Sequence, residues 1–132
     1  MMIYLASPYS DPDPAVKAQR FDVACEAAAA LMRQGHMVFS PIAHTHPIAR
    51  FDLPGGWHFW AAYDRAFIQW CDELWVLTLP GWDASVGVTA EIEFADMLGK
   101  PKRYIDPENV IARPLDAAAQ HREAAEAAKG GG

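Results

Sequence analysis

Leu74-Trp75-Val76-Leu77-Thr78-Leu79, running directly into Pro80-Gly81-Trp82-Asp83-Ala84-Ser85 and then into Val86 to Leu98, decides the fold. The first segment carries no charge and no polar alternation, so it reads as a strand covered on both faces, the habit of parallel sheets. Pro80-Gly81 ends it, because proline cannot donate to a ladder and the pair favours a turn. Val88, Ile92, Ala95 and Leu98 or Gly99 then recur at three- and four-residue steps, the spacing of a helix with one inward face, and Gly99 suits its left-handed close.

Another strand, turn and helix precede it, without any internal repeat of sequence. Ile3-Tyr4-Leu5-Ala6 is a short β-prone run stopped by Ser7-Pro8. Asp11-Pro12-Asp13-Pro14 is a helix start, an aspartate cap with proline in the first turn. Val16, Arg20, Val23, Ala24, Ala27, Leu31 and Met32 keep helical spacing to Gly35, and Met37 to Ser40 reads as a second strand halted by Pro41. Residues 41–56, with three prolines, two histidines and Gly55-Gly56, read as a loop of functional length. Trp57 to Cys71 is a further helix, Asp72 reads as its C-cap, and Lys102 to Ile105 is a fourth strand at or near an edge. The order β-α-β-loop-α-β-α-β predicts an α/β domain, a single doubly wound, flavodoxin-like unit with a mostly parallel four- to five-stranded sheet over residues 1–113. Residues 114–132 read as an Ala-rich helical tail, a surface or subunit-contact helix with a disordered Gly end.

Eleven basic residues against 17 acidic ones give a net charge of -6, which argues against nucleic-acid polymers and anionic membranes as partners. It leaves room for a small phosphorylated ligand in a local pocket of donors. Cys25 and Cys71 cannot form a disulfide scaffold, no apolar run reaches the ~18 residues of a membrane span, and the amino terminus lacks the flank of a secretion signal. A cytoplasmic protein with reduced thiols is expected.

In open α/β sheets ligands sit beyond the carboxyl ends of the strands, which selects Ser7-Pro8-Tyr9-Ser10, Ser40 to Trp57 and Pro80 to Ser85. Asp64 falls inside the apolar stripe formed by Trp57, Trp60, Phe67, Ile68 and Cys71, where a carboxylate must be paired, protonated or turned to a ligand cavity. The alternatives are an ion pair with Arg20, Arg65 or His58, or a functional site. Ser85 is placed to cap the next helix and Gly87 to admit a ligand near its backbone, with Asp83 just before; Glu91 borders the inward stripe. By spacing alone, a capped amphipathic helix whose glutamate favours its own dipole is the better account. Tyr4 is core or site. Tyr9 and Ser10, in the first strand-to-helix turn, could hold a phosphate or a sugar. His44 and His46 form an H-x-H pair that either ligates zinc or lines a polar pocket mouth; no third ligand stands at a recognisable spacing, so no metal is expected.

These residues resemble the nucleoside 2-deoxyribosyltransferase-like superfamily, including its nucleotide N-glycosidase branch. The resemblance spans roughly residues 2–106. It rests on Ile3-Tyr4-Leu5-Ala6-Ser7-Pro8-Tyr9, on Tyr63-Asp64 followed by Cys71 to Leu77, and on Ser85-x-Gly87-x-x-x-Glu91. It implies Glu91 as a nucleophile at C1′ of a (deoxy)ribose, Asp64 as general acid or sugar-orienting group, Tyr4 positioning Glu91, and Ser85 at the 5′ end of the ligand. Ser7, Tyr9, Ser10, His44, His46, Asp83 and Gly87 complete the expected binding set. It further implies a nucleoside or nucleotide as small-molecule partner, no cofactor, and a homo-oligomer, dimer or tetramer. The first loop departs from the nucleotide-hydrolysing branch in lacking an arginine, which counts against a monophosphate. The functional alternatives are a non-catalytic nucleotide sensor and a zinc-dependent hydrolase built on His44 and His46.

Overall fold

The computed structural model describes residues 1–53 and 57–111. Strands β1 (Met2–Ala6), β2 (Met37–Phe39), β3 (Glu73–Leu77) and β4 (Lys102–Ile105) form one all-parallel sheet in the order β2-β1-β3-β4. The connections carry α1 (Pro14–Arg33), α2 (Pro41–Ala49), α3 (Trp57–Trp70), a 3-10 turn at Trp82–Ala84, and α4 (Val86–Met97), with α5 (Pro107–Val110) after the last strand. This is the doubly wound, flavodoxin-like arrangement expected from the sequence, and its strand order reverses at β1 and β3. In register, Tyr4 of β1 lies opposite Phe39 of β2 and Leu74 of β3.

Alternation along β1 divides the core in two, since successive side chains of a strand point to opposite faces. Ile3 and Leu5 pack with Ala27, Ala28 and Leu31 of α1 and with Trp75 and Leu77 of β3. Tyr4 and Ala6 join Ile68 of α3, Val88 and Ala95 of α4, and Leu74 and Val76. Full burial of each large aliphatic side chain contributes roughly 1.5–3 kcal/mol, so both faces hold the domain together. They differ in that only the second contains ionisable groups.

The local signals work as their chemistry requires. Asp13 Oδ1 accepts the Ala15 N–H at 2.9 Å with Pro14 next in the chain, and Gly35 closes α1 at φ 96°. Arg20 on α1 donates to the Ser10 carbonyl at 2.9 Å and the Pro80 carbonyl at 3.3 Å, tying together the loops that follow β1 and β3. Gly81 turns at φ 93°, and a Cβ there would lie 3.0 Å from the Arg20 guanidinium, so both backbone angle and close approach demand glycine. Asp72 serves the sheet and not the helix end: its Oδ2 accepts the Met2 N–H at 2.7 Å, and its own N–H donates to the Met2 carbonyl.

A second expectation is overturned. The stretch from residue 41 begins with α2 and not with a loop. Ser40 caps it, its Oγ accepting the Ala43 N–H at 3.2 Å, and Pro41 occupies the first helical position, where the missing N–H has no partner to lose. Pro47 lies late enough in this nine-residue helix to leave its first turns intact. The bridge after β4 likewise contains the short helix α5, capped by Asp106. The predicted tail at 114–132 and Gly55-Gly56 lie outside the described residues. Among those described, no helix is long and apolar enough to cross a membrane.

Candidate active site

Beyond the carboxyl ends of β1 and β3 the structure opens into a cavity of about 870 Å3. Its wall draws on the loop after β1 (Ser7, Tyr9, Ser10), the inner face of α2 (Ile42, Thr45, His46, Ala49, Arg50), α3 (Trp60, Asp64) and the start of α4 (Ser85, Gly87, Glu91). The strand order reverses at this point, which leaves a crevice between the two covering layers.

Asp64 and Glu91 are both buried, at 7% and 5% exposure, and both reach this wall. Asp64 is held by α3, one turn after Trp60 and one before Ile68, which is packed in the core. Glu91 is held by α4, whose start is fixed by Ser85: the Ser85 Oγ accepts the Val88 N–H at 3.2 Å. Val88 and Ala95, three before and four after Glu91, are buried and turn the same flank inward. A second cavity of about 100 Å3, between α3 and α4, also has both acids in its wall, with Arg65 and Glu93 beside them.

No cation among the described residues neutralises the pair. The salt bridges there are Lys102–Asp96 and Arg103–Glu73, and neither acid takes part in one. Asp64 Oδ1, Glu91 Oε2 and the Tyr4 Oη lack a hydrogen-bond partner. Burial therefore pushes Asp64 up to about 6, and burial followed by the adjacent Asp64 charge pushes Glu91 up to about 8. The Tyr4 hydroxyl, fully buried beneath them on β1, opposes part of both rises from close range without reaching the geometry of a full hydrogen bond. Its own ionisation is driven well upward by burial and then by the two acids, so it remains a neutral donor. Two carboxyls so placed titrate as a unit.

Other expected residues divide. Ser7 is 6% exposed with an unpartnered Oγ, and Tyr9, Ser10, His46, Ser85 and Gly87 share the cavity wall. The Tyr9 Oη and His46 Nδ1 are 2.5 Å apart, and the His46 ring stacks on Phe21 of α1 at 4.4 Å. Asp83 is exposed in the 3-10 turn and is not in the wall. His44 is also outside it, exposed and stacked against Tyr63, with its Nε2 3.3 Å from the Tyr63 Oη. Because α2 is helical, positions 44 and 46 diverge to different sides and do not converge as they would on a strand. Among the described residues no three His, Cys, Asp or Glu side chains gather as metal ligands.

Lys17, Phe21, Thr45, Arg50 and Trp60 line the cavity without having been expected there. The positions 42, 45, 46, 49 and 50 follow helical spacing, a signal that reading this stretch as a loop conceals. The 2-deoxyribosyltransferase of the psychrotolerant bacterium Bacillus psychrosaccharolyticus, a biocatalyst for nucleoside synthesis, has a similar structure, with a TM-score of 0.58 and 26% identity over 81% of this chain and 73% of that one. No curated protein matches the sequence. The family described as "Domain of unknown function (DUF1937)" matches residues 1–105, and the chain belongs to that family.

Proposed function

We propose that the protein cleaves or transfers the N-glycosidic bond of a nucleoside or nucleotide, with Glu91 as nucleophile. The observation that carries this reading is the pair Asp64 and Glu91, buried without a cation and opening onto one cavity. Such burial costs several kcal/mol that a purely structural site has no reason to bear. The similarity to a 2-deoxyribosyltransferase supports the same chemistry.

The ionised Glu91 carboxylate attacks C1′ and the bond to the base breaks, its electron pair leaving with the base. Asp64 delivers a proton to the departing base. A glycosyl ester on Glu91 results, as in a retaining glycosidase. Water or a second base then attacks C1′ from the vacated side, Asp64 recovers the proton, and Glu91 is released as carboxylate. Tyr4 steadies Glu91 from below. Ser7, Ser85 and Gly87 would face the sugar, while Tyr9 and His46 narrow the opening. Attack therefore requires the pair to hold one proton, on Asp64, with Glu91 ionised.

Incubation with a panel of nucleosides and 5′-nucleotides, with chromatography of the released base, tests the reading. Turnover that is lost in Glu91→Ala supports it. Wild type and variant behaving alike on every compound would contradict it. The same reading carries a cytoplasmic homo-oligomer, for which the exposed Phe59, Tyr63 and Trp70 along α3 offer a contact face; light scattering on the eluting protein reads the assembly directly.

A further inference from the structure

Two cations face the same cavity from the layer opposite α4. Lys17 stands in the first turns of α1, and Arg50 caps the end of α2. Neither has a carboxylate partner among the described residues, in a chain with six more acidic than basic side chains. What they touch is aromatic: the Lys17 ammonium lies 5.8 Å from the Tyr9 ring centre, and the Arg50 guanidinium 4.7 Å from that of Phe51. Between them Phe21, four residues after Lys17, stacks on His46, four residues before Arg50. Helix neighbours at that spacing share a face, so this stack brings both charges onto the wall. The buried, unpartnered Ser7 Oγ adds a donor within the same cavity.

Unpaired cations in a partly enclosed site focus field on the ligand and favour an oxyanion. The acids at the other part of the wall would repel one, which fixes its orientation: the anionic group must sit away from the bond that Glu91 attacks. We infer that Lys17 and Arg50 form an oxyanion subsite, so that the substrate is an anionic nucleoside derivative carrying phosphate on its sugar or carboxylate on its base. The inference rests on the glycosyl-transfer reading for its substrate class, but the binding can be tested without turnover.

Binding is measured by calorimetry on the Glu91→Gln full-length protein. The probes are uridine, uridine 5′-monophosphate, orotidine, adenosine and adenosine 5′-monophosphate. An anionic compound is expected to bind at least about tenfold more tightly than its neutral counterpart, with the gap shrinking as salt rises from roughly 50 to 300 mM through screening. The monophosphates and orotidine separate phosphate from carboxylate as the recognised group. In the Lys17→Gln/Arg50→Gln double variant the preference for anionic over neutral ligands falls by about tenfold or more, and in Arg50→Glu it inverts. Neutral nucleosides binding as well as anionic ones, a preference that survives the double variant, or no binding by any probe would overturn the subsite. Anion preference lost in the double variant, together with no base release by wild type, would uphold the subsite and overturn the glycosyl-transfer reading.

Discussion

The two faces of the sheet are built from the same strand by alternation, yet they differ in kind. Toward α1, Ile3 and Leu5 meet alanines, leucines and a tryptophan. Toward α3 and α4, the intervening Tyr4 meets Asp64 and Glu91, and three buried oxygens lack partners. The first face stabilises the domain. The second gives up part of that stabilisation to hold two acids in an unusual protonation state, and strain of that sort clusters where chemistry occurs.

Substitutions on the two faces should fail in opposite ways. Glu91→Ala and Glu91→Gln should reduce base release by about a thousandfold or more, as expected for loss of a nucleophile, while the protein remains folded. Leu5→Ala on the α1 face should lower stability by about 2–5 kcal/mol in denaturant titration, with kcat/KM unchanged wherever the protein is still native. If both variants instead lost stability alone, the two faces would be equivalent and the division drawn between them wrong.

A smaller effect concerns pH. Below the lower titration of the acid pair no carboxylate can attack, and above the upper one no acid can protonate the base. A bell-shaped kcat/KM profile with limbs near pH 6 and 8 is therefore expected, both belonging to the pair and neither to one residue. A profile flat from about pH 5 to 9 would contradict the shared proton. Smaller still is Tyr4→Phe, which removes a buried hydroxyl without a full hydrogen bond. Stability should change by less than ~1 kcal/mol, whereas kcat falls about tenfold and the upper limb moves to higher pH, because the hydroxyl that favours the charged carboxylates is gone.

The same contrast explains what can be read from the sequence. The uncharged 74–79 run and the caps at Asp13 and Ser85 are local signals, and the parallel order follows from them. Asp64 and Glu91 are visible because each interrupts or borders an apolar stripe, a pattern that needs no tertiary information. Residues 41–49 look like a loop when proline is weighed only as a breaker, although Pro41 sits where a helix prefers it and Ser40 supplies the cap. That misreading hides the inner face of α2, and with it Arg50. Lys17 and Phe21 carry no local mark of a site at all; they reach the cavity only through the packing of α1 against α2, which spacing within either helix cannot reveal.

The protein keeps a carboxyl at Glu91 at the expense of its own stability, and this can be measured without knowing the substrate. Both acids have folded values above their unfolded ones, so the native protein binds more protons than the unfolded chain between about pH 4 and 8. Stability must then decline as pH rises through that window. Denaturant unfolding of wild type and Glu91→Gln at about pH 5 and pH 8 should show near-equal stability at the lower pH. At the higher pH the variant should gain about 1 kcal/mol or more, since each tenfold change in proton affinity between the folded and unfolded chain corresponds to ~1.4 kcal/mol. A variant less stable than wild type at the higher pH would show that Glu91 is partnered in the fold and held there by structure alone.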